Sequence, residues 1–93
     1  MSVTLLVPGP LRDLTGGRST IGLEVRGGTV GQAFDALRGE MPALYDRIFT
    51  EQRELRPHVN VFVGRDDIRW SGGMDTPLER GSEVVIIPSV SGG

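Results

Sequence analysis

The segment Pro88-Ser89-Val90-Ser91-Gly92-Gly93 carries the chemical group on which the rest of the sequence turns. A prolyl nitrogen cannot donate to a strand ladder, so Pro88 ejects the chain from whatever sheet precedes it. Beyond it every side chain is small except Val90. Gly92 and Gly93 have no Cβ, which lets a backbone enter a narrow channel in a partner. With Gly93 last in the sequence as written, the segment is expected to end in an unhindered carboxylate that needs no processing. Activated by ATP as an acyl-adenylate, that carboxylate becomes an electrophile. Attack by sulfide or a persulfide would leave a thiocarboxylate able to deliver its sulfur later. With no cysteine in the chain, sulfur could ride only on the terminus. Without such chemistry the same residues are an ordinary frayed end.

Other candidate groups are sparse. The absence of cysteine excludes a thiolate nucleophile and a cysteine zinc cluster, and a lone histidine, His58, excludes a two-histidine metal site. His58 follows Pro57 and is read as a surface or satisfied histidine, since no nucleophile elbow offers it a serine. Gly27-Gly28-Thr29-Val30-Gly31 precedes a helix and hints at an anion site. It lacks dinucleotide-fingerprint spacing and a phosphate-loop lysine, so it is read as turn chemistry. Asp66-Asp67 is read as a solvated pair in a hairpin turn, and no metal site is predicted. Trp70, beside Arg69, is either an interface anchor or a residue at the rim of the core.

The composition narrows the function further. Ninety-three residues make one small domain. Ten basic residues, all arginine, stand against twelve acidic ones, for a net charge of -2. Such a chain is a poor electrostatic match for nucleic acid or anionic lipid, and neither is expected as a partner. Having no lysine, it offers no Schiff-base amine and no internal isopeptide acceptor. The opening MSVTLLVPGP has no basic region and too short an apolar run for a signal peptide, and no stretch could span a bilayer. The expected compartment is the cytoplasm.

The elements that must position the terminus follow from pattern. Residues 3–7 read as a first strand stopped by Pro8-Gly9-Pro10, and Ile21, Leu23 and Val25 alternate in a second. Leu11 and Leu14 tuck the connecting loop onto the core. Thr29 and Gln32 have capping-box spacing, and Val30, Phe34, Leu37 and Met41 form one helical stripe closed by Gly39 and Pro42. A short helical turn with Leu44, Ile48 and Phe49 inward follows, then an exposed connection over 50–57. Val59, Val61 and Val63 give a third strand, Ile68-Arg69-Trp70 a short return strand. Val84 to Ile87 is a continuous apolar run, predicted to be a central strand covered on both sides. The sum is an α+β domain, one helical layer on one mixed sheet.

Val59-Asn60-Val61-Phe62-Val63, Thr76-Pro77-Leu78, Gly81-Ser82-Glu83-Val84 and Pro88-Ser89-Val90-Ser91-Gly92-Gly93 together resemble the MoaD/ThiS family of ubiquitin-like sulfur carriers. The resemblance covers the whole chain in element order and is residue-specific from about Val59 onward. Ser82 stands where the family usually has Asp, a departure expected to cost a turn hydrogen bond. The resemblance implies a β-grasp domain over residues 1–88, with a mixed sheet on one main helix, and a flexible tail over 89–93. It implies that an E1-like adenylating enzyme consumes ATP to activate Gly93, that sulfur replaces the AMP, and that no cofactor is bound. Gly92, Ser91 and Val90 would enter partner active sites, and Ile87 and Pro88 would dock on partners. The protein would be a sulfur donor and co-substrate, not an enzyme.

The Ser71-Gly72-Gly73 insertion looks most like the CysO-type branch that serves cysteine synthesis in actinobacteria, where the acceptor is a pyridoxal-phosphate-dependent cysteine synthase. A carrier shared among several pathways is compatible with that branch. The alternatives are the small subunit of molybdopterin synthase, a ubiquitin-like modifier joined to targets through Gly93, and a binding module whose tail is idle.

Overall fold

The computed structural model describes residues 1–88. Val90, Ser91, Gly92 and Gly93, the tail positions singled out above, lie outside the described residues. The first strand, β1 (Ser2–Leu6), pairs antiparallel with β2 (Thr20–Glu24), setting Val3 opposite Leu23 and Leu5 opposite Ile21 on the core face. Between them Pro10 helps start a 3-10 helix, Gly9–Thr15, which closes on Gly16 in the left-handed region (φ 69°). Leu11 is buried and Leu14 packs against the core, as the pattern predicts.

The capping box forms as read. The Gln32 N–H donates to Thr29 Oγ1 (3.3 Å), and Gln32 Oε1 accepts from the Thr29 N–H (3.1 Å), opening α1 (Val30–Glu40). Val30, Phe34 and Leu37 are buried along one stripe. Pro42 does more than stop that helix. It starts α2 (Pro42–Ile48), where its missing N–H costs nothing in a first turn. Leu44, Ile48 and Phe49 face inward as predicted, joined by Tyr45, whose ring stacks on Phe49 at 4.7 Å.

After β3 (Val59–Val63) the structure departs from the pattern. The return strand is β4 (Asp66–Asp67), paired with Phe62 and Val63, while Ile68–Trp70 is a 3-10 helix. The Asp67 carboxylate accepts from the Arg69 N–H (2.9 Å), which curls the backbone, and Ile68 turns into the core at 1% exposure. Asp66-Asp67 is therefore strand and helix cap, not a hairpin turn.

The last strand, β5 (Glu83–Pro88), is central. The sheet order is β2-β1-β5-β3-β4, with β5 parallel to β1 and antiparallel to β3. The predicted cover on both sides is not found. Val84 and Ile86 are buried, Val85 is half-buried and Ile87 is exposed, because both helices lie on one face. The mixed sheet with a single helical layer is the β-grasp arrangement. Entry to β5 also differs from expectation: Ser82 Oγ accepts from the Glu79 N–H at 2.8 Å, so serine keeps the turn acceptor that the family's aspartate would supply. Among the described residues no helix is long and apolar enough to cross a membrane.

Candidate functional site

Everything that positions the terminus converges on the end of β5. Pro88 is its last residue, registered opposite Val59, and is half-buried. A proline is tolerated in a central strand at its end, where the ladder stops. Ile87 stands opposite Asn60 and is 44% exposed, although it sits in the middle of the sheet. An apolar side chain of that size is left in water because, among the described residues, no layer covers that side of the sheet.

Ile87 is not alone. Residues in register share a face, and Val85 lies opposite both Leu6 and Phe62. Leu6, Val85 and Phe62 therefore form a half-buried apolar row across three strands, continuous along β5 with Ile87. Pattern reasoning missed these three because it took the run Val84–Ile87 as buried throughout. The signal that finds them is the strand period of two, since Val84 and Ile86 cannot face the helices unless Val85 and Ile87 face away.

Trp70 is 86% exposed and so does not rim the core. It borders a surface depression with Phe62, Asp67 and Ser71, at the edge of the same apolar row. Its neighbour Arg69 turns back, donating from Nη2 to the Val59 carbonyl (3.2 Å) and bracing the start of β3 opposite Pro88. His58 is exposed, as predicted, and lies in a cleft beside Pro88. The glycine segment before α1 offers no anion site. The Gly28 and Thr29 N–H groups, two donors an anion would need, both point at Gln32 Oε1. Thr76-Pro77-Leu78 packs there too, with the Leu78 N–H donating to the Gly28 carbonyl (2.7 Å) and the Leu78 side chain buried.

The opposite end of the sheet holds a perturbed carboxyl, that of Glu24. The Ser2 hydroxyl donates to Glu24 at 2.7 Å, and the Met1 ammonium lies 3.2 Å from the same carboxylate. Both hold the Glu24 carboxyl below its ordinary value, the Ser2 hydrogen bond most strongly.

Comparison with known proteins places these features in context. The model of the ThiS family matches residues 5–93. Sulfur carrier protein CysO of Mycobacterium tuberculosis is 33% identical, with all of both chains covered, and its crystal structure superposes with a TM-score of 0.81 over 95% of this chain and 99% of that one. Small archaeal modifier protein 1 of Haloferax volcanii is 37% identical over 89% of this chain and 91% of its own. The crystal structure of the Amycolatopsis orientalis BexX/CysO complex contains a chain 33% identical, matched with a TM-score of 0.83 over 98% of this chain and 99% of that one.

Proposed function

The chain belongs to the ThiS family of ubiquitin-like carriers and modifiers, and from that premise we propose that it is a sulfur carrier whose working group is the Gly93 carboxylate. An E1-like enzyme would transfer AMP from ATP to that carboxylate and release pyrophosphate. Sulfide sulfur would then attack the acyl carbon and AMP would leave, producing a thiocarboxylate. The carrier would next dock on a sulfur-accepting enzyme, a pyridoxal-phosphate-dependent cysteine synthase or one like it, with Val90, Ser91 and Gly92 threading the active site. In this scheme the chain is a co-substrate and the chemistry belongs to its partners.

The observation that carries the proposal is the exposed Ile87 beside Pro88 at the end of the central strand, in a chain matched along its full length by CysO. A rigid root with an unsatisfied apolar residue suits docking that delivers the following segment into a partner. That a related CysO is seen in complex with BexX supports a carrier that works bound to a partner protein. ATP–pyrophosphate exchange tests the first step. With an E1-like enzyme the full chain should promote exchange, and a chain lacking Gly92 and Gly93 should not. Equal exchange by both would exclude Gly93 as the adenylated group.

The likeness to small archaeal modifier protein 1 favours a second reading, a modifier attached to target amines through Gly93. Conjugates surviving reducing denaturation would support it. Lacking lysine, the chain would attach singly and build no lysine-linked chains.

A further inference from the structure

We propose that the end of the sheet where β5 finishes is a basic collar that takes an acidic rim around the partner channel receiving the tail. This rests on the carrier reading above and identifies the chemistry of the partner's surface. Arg47 of α2, with Arg56 and His58 from the segment before β3, lines a cleft shared with Pro88 and Val59, and no carboxylate of the described residues lines it. Arg56 is held by its Nε, which donates to the Asp46 backbone carbonyl at 2.7 Å. The guanidiniums of Arg69 and Arg12 stand at the same end, anchored on the carbonyls of Val59 (3.2 Å) and Val7 (3.1 Å).

Asp13 and Asp46 adjoin Arg12 and Arg47 in sequence, yet the salt bridges among the described residues are Met1–Glu24 and Arg53–Asp35, both elsewhere. The far end of the sheet mixes signs, with Glu24 and Arg26 on one cleft and Glu79, Arg80 and Glu83 around the turn into β5. A chain of net charge -2 thus turns several positive groups, none of them in a salt bridge among the described residues, toward the point where its tail departs. A partner that swallows a segment starting after Pro88 must bring the mouth of its channel over Arg47, Arg56 and His58. Carboxylates on that mouth would steer and orient the encounter, an effect felt mainly in association rate and salt dependence. Exposed charges more than about 8 Å apart are largely screened at physiological salt, so the partner's carboxylates must come close to these groups to act.

Two measurements test the collar. The first titrates the isotope-labelled chain with a hexaglutamate peptide and follows amide shifts. Shifts should concentrate at Arg47, Arg56, His58 and Val59, fade with added salt, and vanish in the Arg47→Glu/Arg56→Glu variant. No shifts, or shifts spread equally over Arg18, Arg26, Arg38 and Arg80, would overturn the proposal. The second compares KM for ATP–pyrophosphate exchange with the E1-like enzyme. Arg47→Glu/Arg56→Glu should raise KM about tenfold at low salt, with kcat unchanged and the salt dependence lost. The charge-matched Arg26→Glu/Arg80→Glu variant should match the parent, and an equal KM for the two variants would overturn the collar. Arg47→Gln/Arg56→Gln replaces the first variant if charge reversal impairs folding. Should the parent chain promote no exchange at all, the carrier reading fails, while the peptide titration still decides whether the collar exists.

Discussion

Ile86 and Ile87 are adjacent in β5 and differ twentyfold in exposure, 2% against 44%. Replacing each by alanine separates stability from function. Ile86→Ala leaves a cavity under α1 and α2 and should cost about 2–5 kcal/mol in urea unfolding. Ile87→Ala removes little buried area and should cost no more than about 1 kcal/mol. The effects on partner engagement should be reversed, with Ile87→Ala raising the KM for adenylation while Ile86→Ala, where folded, leaves it unchanged. Glu24 supplies a pH signature at the other end of the sheet. Its carboxyl is held low by Ser2 and the Met1 ammonium. The stability it adds is present above the unfolded-chain value of roughly 4.3 and is lost as pH falls through the lower folded value. A Glu24→Gln variant should therefore melt below the parent at neutral pH, and the gap should close on acidification beneath that value. At this scale the sequence exposed Ile87 and Pro88 only through family resemblance. Leu6, Phe62 and Val85 stayed hidden, because a bare apolar run does not say which of its residues face the helices.

At the scale of elements, local chemistry was legible where side chain and backbone agree. Thr29 and Gln32 announce the start of α1, and the reciprocal bonds are present. Thr29→Ala should lose the cap and cost about 1 kcal/mol, a fall in Tm of roughly 4–8 °C for a domain this small. A melt unchanged by the substitution would mean that the cap is redundant with the packing of Thr76-Pro77-Leu78 against the same turn. The segment after β3 was misread for a physical reason. Ile68, Arg69 and Trp70 alternate like a strand, but one carboxylate–amide bond from Asp67 curls them, and the core takes Ile68 while Trp70 is left in water. Periodicity cannot weigh a single hydrogen bond against a ladder. Pro42 ends α1 as read, and the same residue is also the first of α2, a second use that the sequence pattern does not announce.

For the whole molecule, the order of elements, the mixed sheet and the central place of the last strand were all readable, because turn residues punctuate the chain and its longest uninterrupted apolar run, Val84–Ile87, marks that strand. What could not be read is the one-sidedness of the helical layer, which emerges when α1 and α2 pack together on the same face. That asymmetry makes the molecule a platform. One face holds the core, the other an apolar row, and the strand shared by both ends at Pro88 beside a cluster of arginines. Among the described residues the core draws on β1, β2, β3, β5 and both helices. Deleting Gly92 and Gly93 should accordingly change unfolding free energy by less than about 0.5 kcal/mol while abolishing any function that needs the terminus. The most direct test of the account is the intact mass of the protein after incubation with ATP, sulfide and an E1-like enzyme. A mass gain matching the exchange of one oxygen for sulfur, absent when Gly93 is deleted, is the predicted result. An unchanged mass with every activating enzyme tried, or a gain that persists without Gly93, would contradict it.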